Sequence, residues 1–243
     1  MKIAIIVAII VAIVVLVLFL IVAISISSNS FMKFKQIFEE YQNVKNSSYL
    51  TAEQFAEFVR DKKLGGRLGI VSRKGEFSDA YDYASNTLIL SEDRGGDNSI
   101  SALAVVSHEL GHALQRKADT KKFRRCIKIR TFVSIGSKLI TPLFIAGIVC
   151  LFFEGVSFYV GAALCALSVV MFFVLLIYKS RLLAVEKEAS NLGLQLLEDL
   201  DLLEEDEIKI VKAILRAAFM TYVGDFFRAM LSWTGLTRKS AKP

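Results

Sequence analysis

The sequence predicts a mainly helical membrane protein with a small β element and one water-exposed domain. Hydrophobic residues make up 54% of the chain and the mean hydropathy is +0.49, values typical of integral membrane proteins. Three stretches with at most one charge are long enough to cross the hydrocarbon core of a bilayer. The charged segment between the first two contains helical and strand patterns, so we expect it to form the water-exposed domain.

The first apolar stretch runs without a charge from Ile3 to Ile26. Its uninterrupted Ile and Val run is longer than the apolar core of a signal peptide, which favours a retained anchor over a cleaved leader. We therefore assign residues 1–30 to an N-terminal transmembrane anchor.

The other two apolar stretches, Thr131–Phe153 and Val156–Tyr178, are separated by the short turn at Glu154. The first reaches a spanning length only if Lys138 extends its ammonium group toward the headgroups, and Pro142 is expected to kink it. Together the two stretches predict a transmembrane hairpin over residues 131–180.

Basic residues flank the hairpin on one side of the membrane, and its turn has none. By the positive-inside rule both hairpin ends face the cytoplasm, which predicts an integral protein of a bacterial-type plasma membrane with its N-terminus outside. The net charge of +6 fits an anionic lipid surface, and we expect no nucleic-acid partner because the charge lies beside the apolar segments. These residues are Arg116, Lys117, Lys121, Lys122, Arg124, Arg125, Lys128 and Arg130 before the hairpin, and Lys179, Arg181 and Lys187 after it.

The water-exposed domain is assigned to residues 31–130, followed after the hairpin by a helical segment over residues 181–243. In this last segment Ala213–Trp233 is apolar but charged at three positions. We expect it to pack on the domain or lie at the membrane interface as an amphipathic helix, with a fourth crossing as the alternative. We expect this helix to begin in the acidic run Glu204–Glu207.

The other predicted helices run from Met32 to Val44, from Thr51 to Gly65 and from Ile100 to Lys117. Thr51–Gln54 has the form of a capping box, and Ser99 is a candidate N-cap for the third of these helices. Strands are predicted at Leu68–Ser72 and Asn86–Ser91, and a loop at Arg94–Asn98.

The two histidines of the chain lie four residues apart, at His108 and His112, with Glu109 between them. On a helix this spacing places both imidazoles on one face, as in the His-Glu-x-x-His signature of zinc peptidases. A catalytic zinc needs three protein ligands, so the third must be a carboxylate or a cysteine. Glu109 is expected to be the general base rather than a ligand.

Glu186 is the predicted third ligand, on a helix that emerges just after the last apolar stretch. Glu188 is two residues further on and is expected to point to the opposite side of that helix. Two crossings between His112 and Glu186 return the chain to the same side of the membrane, which allows all three ligands to meet.

Four further predictions concern the surroundings of the metal. Ser190, one turn beyond Glu186, is a candidate hydrogen-bond partner for an imidazole, with simple helix packing as the alternative. Tyr222 is a candidate for stabilising the oxyanion, again with packing as the alternative. The strand Asn86–Ser91 is a candidate edge for an extended substrate. The three cysteines, Cys126, Cys150 and Cys165, are interpreted as small apolar packing residues.

Four segments of the sequence are distinctive in their order and spacing, namely Ser78–Asp82 followed by Leu90–Glu92, Ser107–Gln115, Val185–Ser190 and Ala217–Val223. Together they resemble the YugP-like family of membrane neutral zinc metallopeptidases. The resemblance covers about Phe34 to Met230 and implies a gluzincin-type peptidase with a zincin-like domain and a bound Zn²⁺. It also maps a Glu-x-x-Ala-Asp motif for the third ligand onto Glu186–Ser190, with serine in place of aspartate. This chain departs from the family at two places. The family usually has a histidine where this chain has Ala80, and it usually has glycines before the Thr51 helix, where this chain has none.

The sequence thus predicts a membrane-bound zinc endopeptidase that hydrolyses peptide bonds of membrane or membrane-proximal proteins. Its expected partners are a peptide or protein substrate and the lipid bilayer. Two alternatives remain at this point, namely a catalytically inactive zinc-binding scaffold or assembly factor, and a transporter in which the histidine pair is incidental. An uncoordinated Glu109 between the histidines favours the enzyme, because a structural metal site needs no base.

Overall fold

The structure is a computed structural model that describes residues 2–75, 78–119 and 121–231, of which 2–17, 19, 20, 27, 122 and 231 are described by backbone alone. Among these residues the fold is mainly helical with one small sheet, in agreement with the predicted fold class. In chain order the elements are α1 (Lys2–Tyr41), α2 (Ala52–Lys63), β1 (Gly69–Arg73), β2 (Ala80–Asp82), β3 (Thr87–Ser91), α3 (Glu92–Gly95), α4 (Ile100–Ala118), α5 (Lys121–Leu151), α6 (Val156–Asp199) and α7 (Glu205–Leu231).

Side-chain caps define the start of two helices of the domain, α2 and α4. The Thr51 hydroxyl accepts from the Gln54 backbone N–H, and the Gln54 side chain accepts from the Thr51 N–H, which is the predicted capping box of α2. Ser99 caps α4 by accepting from the Ala102 N–H at 3.1 Å. Because α4 carries both histidines, this cap fixes the beginning of the helix that positions them.

The sheet has the strand order β1-β3-β2, with β1 parallel and β2 antiparallel to β3. The prediction that Asn86–Ser91 is an edge strand was wrong, because β3 is paired on both sides. The edge strand that lies next to α4 is β2, which was not predicted. The predicted loop at Arg94–Asn98 was wrong in its first two residues, since α3 continues to Gly95.

Helix α4 runs through the centre of the domain and is buried along most of its length. The C-terminal part of α1, together with α2, the sheet, the C-terminal part of α6 and α7, packs around it. The helix predicted from Met32 to Val44 is this C-terminal part of α1, which ends at Tyr41. Helix α7 begins in the acidic run and packs mainly against α1 and α6, as expected for a helix docked on the domain.

Helices α5 and α6 form a hairpin and are each long and apolar enough to cross a membrane. They approach closely where a Cβ added to Gly147 would lie 2.9 Å from the Cys165 backbone nitrogen. Many of their large apolar side chains face outward, including Phe132 (76% exposed), Ile135 (58%) and Phe173 (58%). A helix from a soluble core would bury these side chains, so the exposed belt fits contact with lipid.

Helix α6 continues without a break from the hairpin into the domain. The apolar part from Val156 to Tyr178 is followed by more than 20 residues of the same helix, or about 30 Å. Residues from this extension enter the same core as α4. Most side chains of the predicted anchor, Ile3–Ile26, lie outside the described residues, as does Trp233 at the end of the predicted C-terminal helix, so the anchor remains a prediction.

Candidate metal centre

Three buried groups from two helices converge at the centre of the domain. His108 and His112 lie one turn apart on α4, and Glu186 lies on the part of α6 beyond the hairpin. Glu186 Oε2 is 3.3 Å from His108 Nε2 and 3.3 Å from His112 Nε2. One ligand atom from each residue lies within 4.8 Å of the other two, so this group could hold a metal ion.

The close approach of α4 and α6 depends on two glycines. A Cβ on Gly111 would lie 2.1 Å from the Ala189 carbonyl oxygen, and a Cβ on Gly193 would lie 2.3 Å from the Ser107 carbonyl oxygen. Real Cβ atoms do not approach backbone so closely, so larger residues would separate the helices. The glycines thus bring backbone against backbone beside His108 and near Glu186.

Ser190 determines the tautomer of His108. The Ser190 hydroxyl lies 3.0 Å from His108 Nδ1 and donates its proton to the Glu186 backbone carbonyl at 3.1 Å. Because a hydroxyl has one proton, Ser190 must accept from the Nδ1–H of His108. The lone pair of neutral His108 is therefore on Nε2, the nitrogen that faces Glu186.

Gln115 determines the tautomer of His112 in the same way. Its Nε2 donates to the Val185 backbone carbonyl at 2.9 Å and to Glu188 Oε2 at 3.2 Å. Both partners only accept, which fixes the orientation of the amide and leaves Gln115 Oε1 to accept from His112 Nδ1 at 2.9 Å. The lone pair of neutral His112 is consequently also directed toward Glu186.

The two imidazole Nε2 atoms and the Glu186 carboxylate each direct an electron pair toward the space between them. This arrangement favours a positive charge at that point. His108 Nε2 is buried and has no hydrogen-bond donor or acceptor among the described residues. Burial lowers the pKa of His112, but the Glu186 carboxylate outweighs burial and raises it. Burial raises the pKa of Glu186, but the two imidazoles outweigh it and hold the pKa below its ordinary value. A divalent cation with a preference for nitrogen and oxygen ligands fits this donor set.

Glu109 lies beside the cluster but is not part of it. Its Oε2 accepts a hydrogen bond from the Tyr81 backbone N–H of β2 at 2.7 Å. Burial raises the pKa of Glu109, and the neighbouring His108 and His112 oppose this effect. The carboxyl group is half-buried because it faces the cleft in front of the cluster. It is thus held at the position and with the raised proton affinity that a general base needs.

Two tyrosines enclose the cluster. The Tyr222 ring of α7 stacks on His108 with a centroid distance of 6.2 Å, and the Tyr83 ring meets His112 edge-on at 5.6 Å. Burial raises the pKa of Tyr222 well above its ordinary value, and the negative charges of Glu186 and Glu109 add to this effect. The Tyr222 phenol therefore keeps its proton and can donate a hydrogen bond.

A buried ion pair fixes the start of β2. Arg94 Nε lies 2.5 Å from Asp79 Oδ2, and their side chains are 8% and 2% exposed. Asp79 also accepts from the Ser91 backbone N–H at 2.9 Å, which ties it to the end of β3. This arrangement positions the strand whose Tyr81 N–H holds Glu109.

The structure brings together six residues that the sequence analysis singled out, while their roles stay predictions: His108, Glu109, His112, Glu186, Ser190 and Tyr222. Glu188 contacts Gln115 rather than the imidazoles, and none of the three cysteines lines the cleft. Sequence reasoning missed Gln115 and Tyr83 as parts of the site. Gln115 could have been found, because it lies three residues after His112 on the same helix face. Nothing in the sequence pointed to Tyr83.

The cleft in front of the cluster has a volume of about 540 Å³. It is bounded by β2 and α4 on one side and by faces of α5, α6 and α7 on the other. Its size is that of a site for a small ligand or a short peptide.

Comparison with known proteins assigns this arrangement to a family. The model of the family described as "Putative neutral zinc metallopeptidase" matches residues 9–238. The chain belongs to this family. It is also 30% identical over 201 residues to the "Putative membrane protease YugP" of Bacillus subtilis (strain 168), covering 83% of this chain and 85% of that protein. No solved structure matches the chain. The family implies Zn²⁺ as the cofactor, and the His108, His112 and Glu186 group fits that ion.

Proposed function

We propose that this chain is a membrane-bound zinc endopeptidase that hydrolyses peptide bonds of membrane or membrane-proximal proteins. The observation that carries the proposal is the convergence of two imidazole lone pairs and one carboxylate oxygen beside an uncoordinated glutamate. A purely structural zinc site is normally closed by four protein ligands, whereas three ligands and an adjacent base are typical of hydrolytic sites. Membership of a zinc metallopeptidase family supports the same activity.

In this proposal His108, His112 and Glu186 are the zinc ligands, with Ser190 and Gln115 holding the two imidazoles in the ligating tautomer. Zinc supplies a Lewis acid that polarises a peptide carbonyl and makes a water molecule more acidic. Glu109 accepts the proton of the attacking water and then delivers it to the leaving amine nitrogen. Burial raises the pKa of Glu109, and a higher proton affinity favours its role as the acceptor of this proton. Tyr222 donates its phenolic proton toward the developing oxyanion.

An extended substrate would lie along β2, the edge strand that holds Glu109. Its backbone would then be parallel to the cleft and its scissile carbonyl would reach the metal. We further propose that the hairpin crosses the membrane and that the active site faces the cytoplasm. The support for this orientation is the density of basic residues just outside both hairpin ends, among them Arg125, Lys128 and Arg181.

The test is the Glu109→Gln variant, purified in detergent and incubated with an unfolded protein such as casein. We expect zinc content to match that of the wild type, because Glu109 is not a ligand, and hydrolysis to fall about 100-fold or more. Glu57→Gln on the exposed face of α2 is the matched control and should hydrolyse casein at the wild-type rate. Normal hydrolysis by the Glu109 variant would refute the role of this residue. A zinc-loaded wild type without hydrolysis would instead favour the scaffold alternative.

A further inference from the structure

The cleft extends beyond the metal ligands and along the membrane hairpin. From α5 it is lined by Ile127, Arg130, Val133, Ser134 and Ser137, which lie on one face of that helix. From α6 it is lined by Leu175, Tyr178, Lys179, Leu182, Leu183 and Glu186. The same cavity therefore contacts the metal ligands at one end and the apolar part of the hairpin at the other.

The face of α5 that lines the cleft differs from the rest of the helix. Arg130, Ser134 and Ser137 are polar, whereas Phe132 and Ile135 on other faces are apolar and largely exposed. Polar residues on a membrane helix are costly in lipid and usually face a protein interior or a water-filled path. Val133 and Ile127 on this face are apolar, so the face is polar in part. The three polar side chains that line this hairpin groove suit contact with water or a polypeptide backbone better than contact with lipid.

Two cations indicate where the bilayer surface crosses this cleft. Arg130 is the last basic residue before the apolar part of α5, and Lys179 is the first after the apolar part of α6. Both line the cleft. A Cβ added to Gly136 of α5 would lie 3.4 Å from Met171 of α6. Arg130 lies six residues before Gly136 and Lys179 eight residues after Met171, so the two cations stand at about the same level on the antiparallel helices. Glu186 lies seven residues beyond Lys179 on one continuous helix, which is about 10 Å along the helix axis.

From this geometry we infer that the substrate is a membrane-anchored polypeptide whose extended segment leaves the bilayer through the hairpin groove and is cut at a fixed distance from the membrane. This inference rests on the proposed peptidase function and names its substrate class. An extended chain advances about 3.3 Å per residue, so 10 Å corresponds to about three residues. The scissile bond is expected about three residues from the end of the substrate's apolar segment.

The experiment uses the full-length enzyme in liposomes with single-span substrates that carry a linker of one repeated short sequence on the side of the enzyme domain. Because all repeats of the linker are chemically alike, the cut position depends only on the distance of each bond from the membrane. We expect mass spectrometry to find cuts clustered about three residues from the apolar segment, and to find the cluster shifted by three residues when the apolar segment is lengthened by three. Cuts spread along the linker, or no cut of the anchored substrate, would overturn the inference.

A casein assay on the same liposomes separates this inference from the proposed function. If casein is hydrolysed but the anchored substrate is cut at scattered positions, only the inference of a fixed cutting distance from the membrane is overturned. Failure to hydrolyse either substrate with zinc bound overturns the peptidase proposal itself.

Substitutions in the groove provide a second readout. Combining Ser134→Leu with Ser137→Leu makes the polar face apolar, so the rate on anchored substrate relative to casein should fall several-fold. Ser180→Leu is the matched control, since Ser180 is exposed on α6 outside the cleft and should leave this ratio unchanged. An unchanged ratio in the double variant would contradict the claim that anchored substrates pass through the groove. Far-ultraviolet circular dichroism would verify that all variants fold.

Discussion

At the scale of single residues, the site depends on which nitrogen of each imidazole carries the proton. Sequence spacing predicted His108 and His112 because residues four apart share a helix face, and it predicted Glu186 because this carboxylate lies on the helix that emerges just after the hairpin. It predicted Ser190 as a hydrogen-bond partner by its position one turn from Glu186. The spacing could also have singled out Gln115 as a neighbour of His112 on the same helix face. It could not show which way the amide points, because the Val185 carbonyl and the Glu188 carboxylate that orient it belong to another helix.

The Gln115→Ala variant removes the acceptor of the His112 Nδ1–H. With neither nitrogen of His112 fixed, the ligating tautomer is no longer favoured, and we expect zinc affinity to fall about 10- to 100-fold. Competition with a chelating dye measures this affinity. Gln195→Ala, on the exposed side of α6, should keep the wild-type affinity. Equal affinity in the two variants would exclude a positioning role for Gln115.

At the scale of elements, the local signals predicted the helices well and the sheet only in part. The capping residues Thr51 and Ser99 predicted the starts of α2 and α4 because their hydrogen bonds form within one turn. Strand β2 was missed because three residues give too little periodicity to detect. The edge position of β3 was predicted wrongly because pairing partners lie elsewhere in the chain and are not encoded within one strand.

The close crossing of α4 and α6 can be tested by a substitution at Gly193. In the Gly193→Ala variant the added methyl group collides with the Ser107 carbonyl, so α6 must move away from His108. Alanine alone would favour the helix over glycine, yet overpacking should cost about 1–3 kcal/mol and lower both the melting temperature and zinc affinity. Thermal unfolding in detergent and zinc titration measure the two effects.

The control for this variant is Gly96→Ala. Gly96 has a φ of −84°, and a Cβ there meets nothing within 4 Å. If the Gly193 variant melted at the same temperature as this control and bound zinc equally well, the close helix crossing would not be needed for the site.

At the scale of the whole molecule, the hairpin brings together parts of the chain that are far apart in sequence. His112 on α4 and Glu186 on α6 are separated by both apolar segments, and the return of the chain allows them to meet. The two apolar segments between these ligands were predictable from the sequence. The continuity of α6 from the hairpin into the metal site, and the cleft that follows it, depend on packing that no local pattern reveals.

Cysteine labelling tests this topology in a variant without the native cysteines. Single cysteines replacing Asp119 near the end of α4 and Asn191 on α6 should react with a membrane-impermeant reagent from the same side. A cysteine replacing Glu154 at the hairpin turn should react only from the opposite side. Labelling of Asp119→Cys and Asn191→Cys from opposite sides would rule out a shared metal site.

The most direct test of the central claim is zinc X-ray absorption spectroscopy of the purified full-length protein. We predict one zinc per chain with two imidazole ligands, an oxygen from Glu186 and no sulfur, and loss of most of the bound zinc in Glu186→Ala. A sulfur neighbour at about 2.3 Å, or an unchanged spectrum and full zinc content in the Glu186 variant, would contradict the proposed ligand set.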